Sequence, residues 1–267
     1  MTAGVKTQPV GFLLRKWRER RRLSQLDLAT DAEISTRHLS FLETGRSQPS
    51  REMVLRLAER LDVPLRERNA LLIAAGYAPA YPERPFDDPA LQSARKAIDL
   101  VLAGHEPYPA IAIDRHWTII ASNKAALPLM VGADPSLLQP PVNALRLSLH
   151  PQGLAPRIAN LAEWRSHLLA RLRRQIEVSA DSVLEELLNE LCGYPAHGDG
   201  ATSGEAGDDE ECAGVVVPLR LVTERGVLSF ISATTIFGTP VDITLSELAI
   251  ESFFPADAAT AEALRGI

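Results

Sequence analysis

Leu23-Ser-Gln-Leu-Asp-Leu-Ala-Thr-Asp-Ala-Glu-Ile-Ser-Thr-Arg-His-Leu-Ser-Phe-Leu-Glu-Thr-Gly-Arg46 holds two helix starts and one firm helix stop. Ser24 is an N-cap for a helix from about Gln25, and Asp27 stands three residues on, where a carboxylate meets free amides. Leu26, Leu28 and Ala29 are the expected buried side of that helix. Ser35 repeats the start signal before a second apolar-periodic run. Leu39 and Leu42 fall on one face of it, leaving Thr36, Arg37 and Ser40 on another. Gly45 is placed where a left-handed stop residue belongs. Two short helices with a tight connection, and polar groups crowding the start of the second, are a helix-turn-helix signature.

Ser24-Gln25, Leu28-Ala29, Ser35-Thr36 and Leu42-Glu43-Thr44-Gly45-Arg46, followed by Pro49-Ser50, resemble the Cro/phage-repressor type of DNA-binding domain. The surrounding pattern agrees. Pro9 can open a first helix, running to about Arg21, with Phe12, Leu13 and Trp17 as its apolar stripe and a load of arginines toward its end. Ser50 caps a fourth helix to Leu61, whose stripe is Val54, Leu57, Ala58 and Leu61. A fifth helix spans about Leu65 to Ala75 and stops at Gly76. An all-α, five-helix domain over residues 1–78 is therefore expected, with residues 1–8 as an unpatterned arm.

The chain has 267 residues and a net charge of −6, with 46% hydrophobic and 23% charged residues. That length accommodates two cores. The charge is unevenly shared: residues 1–77 carry 14 Lys+Arg against 9 Asp+Glu, and the remainder carries 14 against 25. A basic piece joined to an acidic one predicts phosphate contact at one end only. No apolar run reaches the ~18 residues of a membrane span, and no signal-peptide core opens the chain, so a cytoplasmic protein is expected. Cys192 and Cys212 are the only cysteines, too few for a zinc site and poorly placed for a disulfide.

Pro79, Pro82, Pro85 and Pro89 make residues 79–89 a stiff linker. Beyond it, residues 90–267 change period. A helix over Ala90–Ala103 precedes two strands, 110–114 and 117–121, in a hairpin turning at Arg115-His116. Helical patterns follow at 123–130, 154–175 and 180–191, with a short apolar element at 145–149. Residues 196–214, acidic and glycine-rich, read as a flexible insertion. Strands resume at 215–222 and 227–237, then 245–253, before a terminal helix after Pro255. The expected second domain is α+β, a five-stranded antiparallel sheet with its helices on one side, of PAS-like arrangement.

Gly104-His105-Glu106-Pro107-Tyr108-Pro109-Ala110, Asp114-Arg115-His116-Trp117, Ala121-Ser122-Asn123, Gly238 to Leu248 and Phe254-Pro255-Ala256-Asp257 resemble the MmyB-like family. Its members join a Cro-type helix-turn-helix to a PAS-like ligand-binding domain. The resemblance implies a transcription regulator whose second domain holds a fatty-acid-like molecule, with no other cofactor required. Tract 196–214 departs from the family pattern.

Site residues follow from these readings. Ser35, Thr36, Arg37 and Ser40 are candidates for base edges, Arg37 first because a guanidinium bonds guanine O6 and N7 together. His38 suits a base or a phosphate, and Arg46 a phosphate. Gln25 resembles the family's phosphate-contacting glutamine, beside free helix amides. Ile111, Ile113, Leu161, Trp164, Leu168, Phe230 and Ile236 are candidates for a cavity wall, with Arg146, His150 and Arg157 for its polar end. The histidines lack metal-ligand spacing, and neither a phosphate loop nor a Gly-x-Ser-x-Gly elbow is present, so neither metal nor catalytic site is expected. The expected partners are operator DNA, a small apolar ligand and a second copy of the chain. The competing reading has a protein partner on the second domain, as in an antitoxin-like module.

Overall fold

The computed structural model describes residues 8–195, 217–237 and 242–265. Residues 1–7 of the expected arm 1–8, the insertion at 196–214 with Cys212, and residues 238–241 lie outside the described residues. The chain divides into two compact units, built mainly from residues up to Arg84 and from Pro85 onward.

The first unit is five helices: α1 (Val10–Arg20), α2 (Gln25–Asp31), α3 (Thr36–Glu43), α4 (Arg51–Arg60) and α5 (Leu65–Ala74). The cap signals operate as hydrogen bonds. Ser24 and Asp27 form a reciprocal capping box, Ser35 Oγ accepts from the His38 amide at 3.1 Å, and Ser50 Oγ accepts from the Met53 amide at 3.2 Å. Gly45 has φ +72°; its amide and that of Arg46 donate to Leu42 and Phe41, closing α3 in a Schellman motif. The α2 to α3 turn uses the same device with Glu33, at φ +56°, in the left-handed position.

Two stripes differ from expectation. On α1 the buried apolar residues are Val10, Leu14 and Trp17, at spacings of four and three, and Phe12 is half exposed. On α2 the buried set is Leu28 and Ala29, with Ala32 beyond, and Leu26 is 63% exposed. Leu26 lies two positions, or about 200°, from Leu28 around the helix, so both cannot face one core. A close approach joins α1 to α3: a Cβ on Gly11 would meet the Leu42 carbonyl oxygen at 2.2 Å.

The second unit begins with a 3-10 turn and α6 (Gln92–Gly104), then β1 (Ala110–Ile113) and β2 (Ile119–Ser122). α7 (Leu127–Met130), α8 (Ala144–Leu149), α9 (Leu161–Ser179) and α10 (Ser182–Cys192) follow. β3 (Leu219–Thr223), β4 (Gly226–Ile236), α11 (Ile243–Ser246), β5 (Ala249–Pro255) and α12 (Ala258–Arg265) complete it. The five strands form one antiparallel sheet in the order β2-β1-β5-β4-β3.

Strand alternation sorts the sheet's faces. Ile111 and Ile113 join the core that contains α9 and α10, whereas Ala110, Ala112 and Ile250 pack with Ile98 and Leu102 of α6. Helices therefore cover both faces, correcting the one-sided layer expected from the sequence. Three boundaries also move. Residues 114–118 form a turn in which Asp114 Oδ1 accepts from the His116 and Thr118 amides at 2.8 Å, with Trp117 at φ +67°, so β2 starts later. The long helix starts at Leu161 rather than 154, because Ile158 bridges to Leu221 and the Ala159 amide donates to Arg220. The last strand starts at Ala249, since 243–246 coil into a helical turn.

Candidate functional site

In the first unit, α3 presents its start to solvent. Ser35, Arg37 and Arg46 are exposed, and Thr36, His38 and Ser40 are half-buried. Leu39 and Leu42, both buried, fix which way that face points. The Arg37 guanidinium lies 5.3 Å from the centroid of the Phe41 ring and that of Arg46 5.9 Å, so one half-buried aromatic holds two cations on the helix surface. The two guanidinium groups come from opposite ends of α3, Arg37 in its first turn and Arg46 just past its stop, and meet over Phe41, an arrangement suited to polyanion contact.

Beneath this face lies an ion pair. Arg18 of α1 donates from Nε and Nη2 to the Glu43 carboxylate at 2.6 and 3.0 Å, and from Nη1 to the Leu23 carbonyl at 2.8 Å. Glu43 is 1% exposed at its side chain. The Glu43 hydrogen bond holds the Arg18 guanidinium above its ordinary pKa. Gln25 Nε2 donates to the same carboxylate at 2.8 Å. Gln25 thus departs from the free phosphate donor expected of it: one N–H is committed to Glu43, and only the other is left for an anion. Arg18 turns inward too, leaving the basic end of α1 with fewer solvent-facing groups than its sequence offers.

The second unit holds an apolar cavity of about 100 Å³ between the inner sheet face and helices α8 and α9. An engineered apolar cavity half as large again, ~150 Å³, holds a benzene ring. Ile111, Trp164 and Leu168 line it, as the sequence predicts. An apolar groove of about 350 Å³ shares Ile119 and Met130 with it and adds Leu127, Val131, Leu138 and Val142. The remaining predicted wall residues fall elsewhere. Phe230 is fully buried and stands edge-on to Phe253, behind the lining. Ile113 is core at the end of β1, Leu161 is only partly buried at the start of α9, and Ile236 is 70% exposed.

The predicted polar end is also corrected. Arg146 is bound by Glu190, with Nη2 to Oε2 at 2.7 Å, and this hydrogen bond holds the Glu190 carboxyl below its ordinary range. His150 Nδ1 accepts from the Gln152 amide at 3.0 Å, and Arg157 donates to the Leu129 carbonyl. None of the three lines the cavity. Its polar groups are Arg171 and Glu251, with Ser148 and Ser232. Glu251, 3% exposed, projects from the central strand and forms an ion pair with Arg171 of α9, whose Nη1 donates to Oε2 at 3.0 Å. Thr234 Oγ1 accepts from Arg171 Nη2 and donates to Glu251 Oε1, each at 2.9 Å. The Arg171 guanidinium lies 4.6 Å from the centroid of the Trp117 indole.

The sequence carries a signal for both residues. Ala249, Glu251 and Phe253 share one strand face, so Glu251 is a charge in an apolar row. Arg171 lies seven residues after Trp164 and three after Leu168, on the buried stripe of α9. Asn123, quoted above for its family match, is a buried pin: its Oδ1 accepts from the Ala110 amide at 3.0 Å and its Nδ2 donates to the Tyr108 carbonyl at 2.7 Å.

Among the described residues no group of three or more His, Cys, Asp or Glu could hold a metal, and no helix is long and apolar enough to cross a membrane.

A helix-turn-helix unit followed by a cavity-bearing α+β unit defines a class, the helix-turn-helix regulators with a ligand-binding domain. Residues 9–71 match a helix-turn-helix domain family, and residues 94–266 match the MmyB-like transcription regulator ligand binding domain. The chain belongs to the MmyB-like transcription regulators. No curated protein matches it. Among solved structures it is similar to the clp gene regulator ClgR from Corynebacterium glutamicum, at 26% identity over 37% of this chain and 90% of that one, with a TM-score of 0.22. It is also similar to an RNA-binding light-oxygen-voltage receptor, at 14% identity over 99% of this chain and 62% of that one, with a TM-score of 0.28.

Proposed function

We propose that this protein is a sequence-specific DNA-binding transcription regulator whose second unit senses a small apolar ligand with an acyl-type tail. The observation that carries the reading is the apolar cavity, walled by α8, α9 and the sheet inside a family-assigned ligand-binding domain, with a polar end at Arg171 and Glu251. The strand order β2-β1-β5-β4-β3 supports a PAS-like receiver. On the DNA side, α3 enters the major groove with Arg37 over a guanine. Ser35, Thr36 and Ser40 lie near base edges, and His38, Arg46 and the remaining Gln25 donor meet phosphates. Two copies act on paired half-sites about one DNA turn apart, in the cytoplasm, and the ligand changes how their DNA-binding units are spaced.

A gel shift on the upstream promoter region, with and without extracted apolar ligand, tests this reading. A specific shift that responds to the extract is expected; no specific shift in either condition ends it. Arg37→Ala should cost about 1–3 kcal/mol and relax one base position. Equal weakening on every sequence would make Arg37 a phosphate contact. Stoichiometric co-purification of a protein with the second unit would favour control by a protein partner.

A further inference from the structure

We infer that the cavity selects an acyl-chain ligand with an uncharged polar head, an alcohol or amide, over the corresponding free carboxylate. This rests on the reading of the cavity as an acyl-chain site and adds the charge of the head group. Its basis is that Arg171, the one cation lining the cavity among the described residues, already has its anion.

Glu251 is fixed from several sides. It is almost fully buried, sits on the central strand, and faces Ile111 on one neighbour and Thr234 on the other. Arg171 binds it from α9, and Thr234 binds both partners. The polar end therefore presents a neutral, hydrogen-bonded pair. A ligand carboxylate arriving there must either take Arg171 from Glu251, leaving a buried carboxylate unpaired, or lie beside Glu251 as a second negative charge. Either outcome is unfavourable in a water-poor site. A hydroxyl or amide demands no such exchange: it can bond to the edge of the pair, to Ser148 or to Ser232, all of which line the cavity. The buried carboxylate thus acts as a repulsive element in specificity, while the apolar groove that shares Ile119 and Met130 with the cavity takes the tail.

The test is calorimetric titration of the full chain with n-octanol, octanamide and octanoate, on the wild type and on Glu251→Gln. The wild type should bind the alcohol and the amide, with octanoate weaker than octanamide by about tenfold or more. Glu251→Gln leaves Arg171 without its anion and should shift the octanoate-to-octanamide ratio by about tenfold or more toward octanoate. Wild-type binding of octanoate on a par with octanamide overturns the inference and leaves the acyl-chain reading standing. If Glu251→Gln misfolds, as its melting curve would show, Glu251→Asp replaces it: a shorter carboxylate keeps the charge, so octanoate must remain disfavoured, and its rise to parity overturns the inference. Binding of none of the three probes to the wild type ends the acyl-chain reading and this inference together.

Discussion

Each unit of this protein contains an arginine paired with a buried glutamate, and the two pairs serve opposite ends. Arg18 and Glu43 are sealed: the side chains are 10% and 1% exposed, Gln25 satisfies the carboxylate further, and the pair ties α1 to the end of α3. Arg171 and Glu251 tie α9 to the central strand, yet they line open space. The first pair holds α3 in place and is closed off from the surface. The second is the polar end of a cavity, the site proposed for the ligand. An identical pair of residue types can be sealed in a core or set at the wall of a cavity, and only the second is placed to meet a ligand.

Breaking the first pair should have the largest effect. Arg18→Ala strands Glu43 in a closed core and should cost the first unit about 3–5 kcal/mol, read by chemical denaturation. Arg171→Ala should cost less, about 1–3 kcal/mol, because water entering the cavity can solvate Glu251 and Thr234 remains as a partner. Equal costs would erase the distinction between a sealed pair and a cavity pair.

The contrast also explains what the sequence disclosed. Helix starts and stops were legible because Ser24, Ser35, Ser50 and Gly45 act locally, and the structure places each in the hydrogen bond its position predicts. Stripes were less legible: in a helix as short as α2, nothing local decides between Leu26 and Leu28. The strand count and antiparallel pairing could be read from contiguous β patterns, but the covering of both faces could not, since α6 looks alike whichever face it meets. For the cavity, Ile111, Trp164 and Leu168 were found through periodicity. Arg171 and Glu251 were not, because their meaning depends on a contact between residues eighty positions apart. Arg146, His150 and Arg157 looked equally suitable by type, but they bond to Glu190, the Gln152 amide and the Leu129 carbonyl and do not line the cavity.

A smaller effect sharpens the description of the cavity's surroundings. His167 stacks on Trp164, and burial, with Arg171 and Arg174 nearby, holds its imidazole below the ordinary pKa. As pH falls below about 6.5 the unfolded chain takes up a proton that the folded chain resists, so stability declines there; above that pH the group contributes no dependence. His167→Gln should flatten that part of a melting-temperature series against pH, and an unchanged slope would remove His167 as its source.

The most direct test of the account joins the two units functionally. Fluorescence anisotropy of an upstream-promoter duplex would be titrated with wild type and with Leu168→Phe, whose added bulk fills the cavity, each with and without n-octanol. The account predicts specific binding by both proteins, with an octanol-dependent change in Kd for the wild type and none for Leu168→Phe. A wild-type Kd that is the same with and without cavity-bound octanol would contradict it.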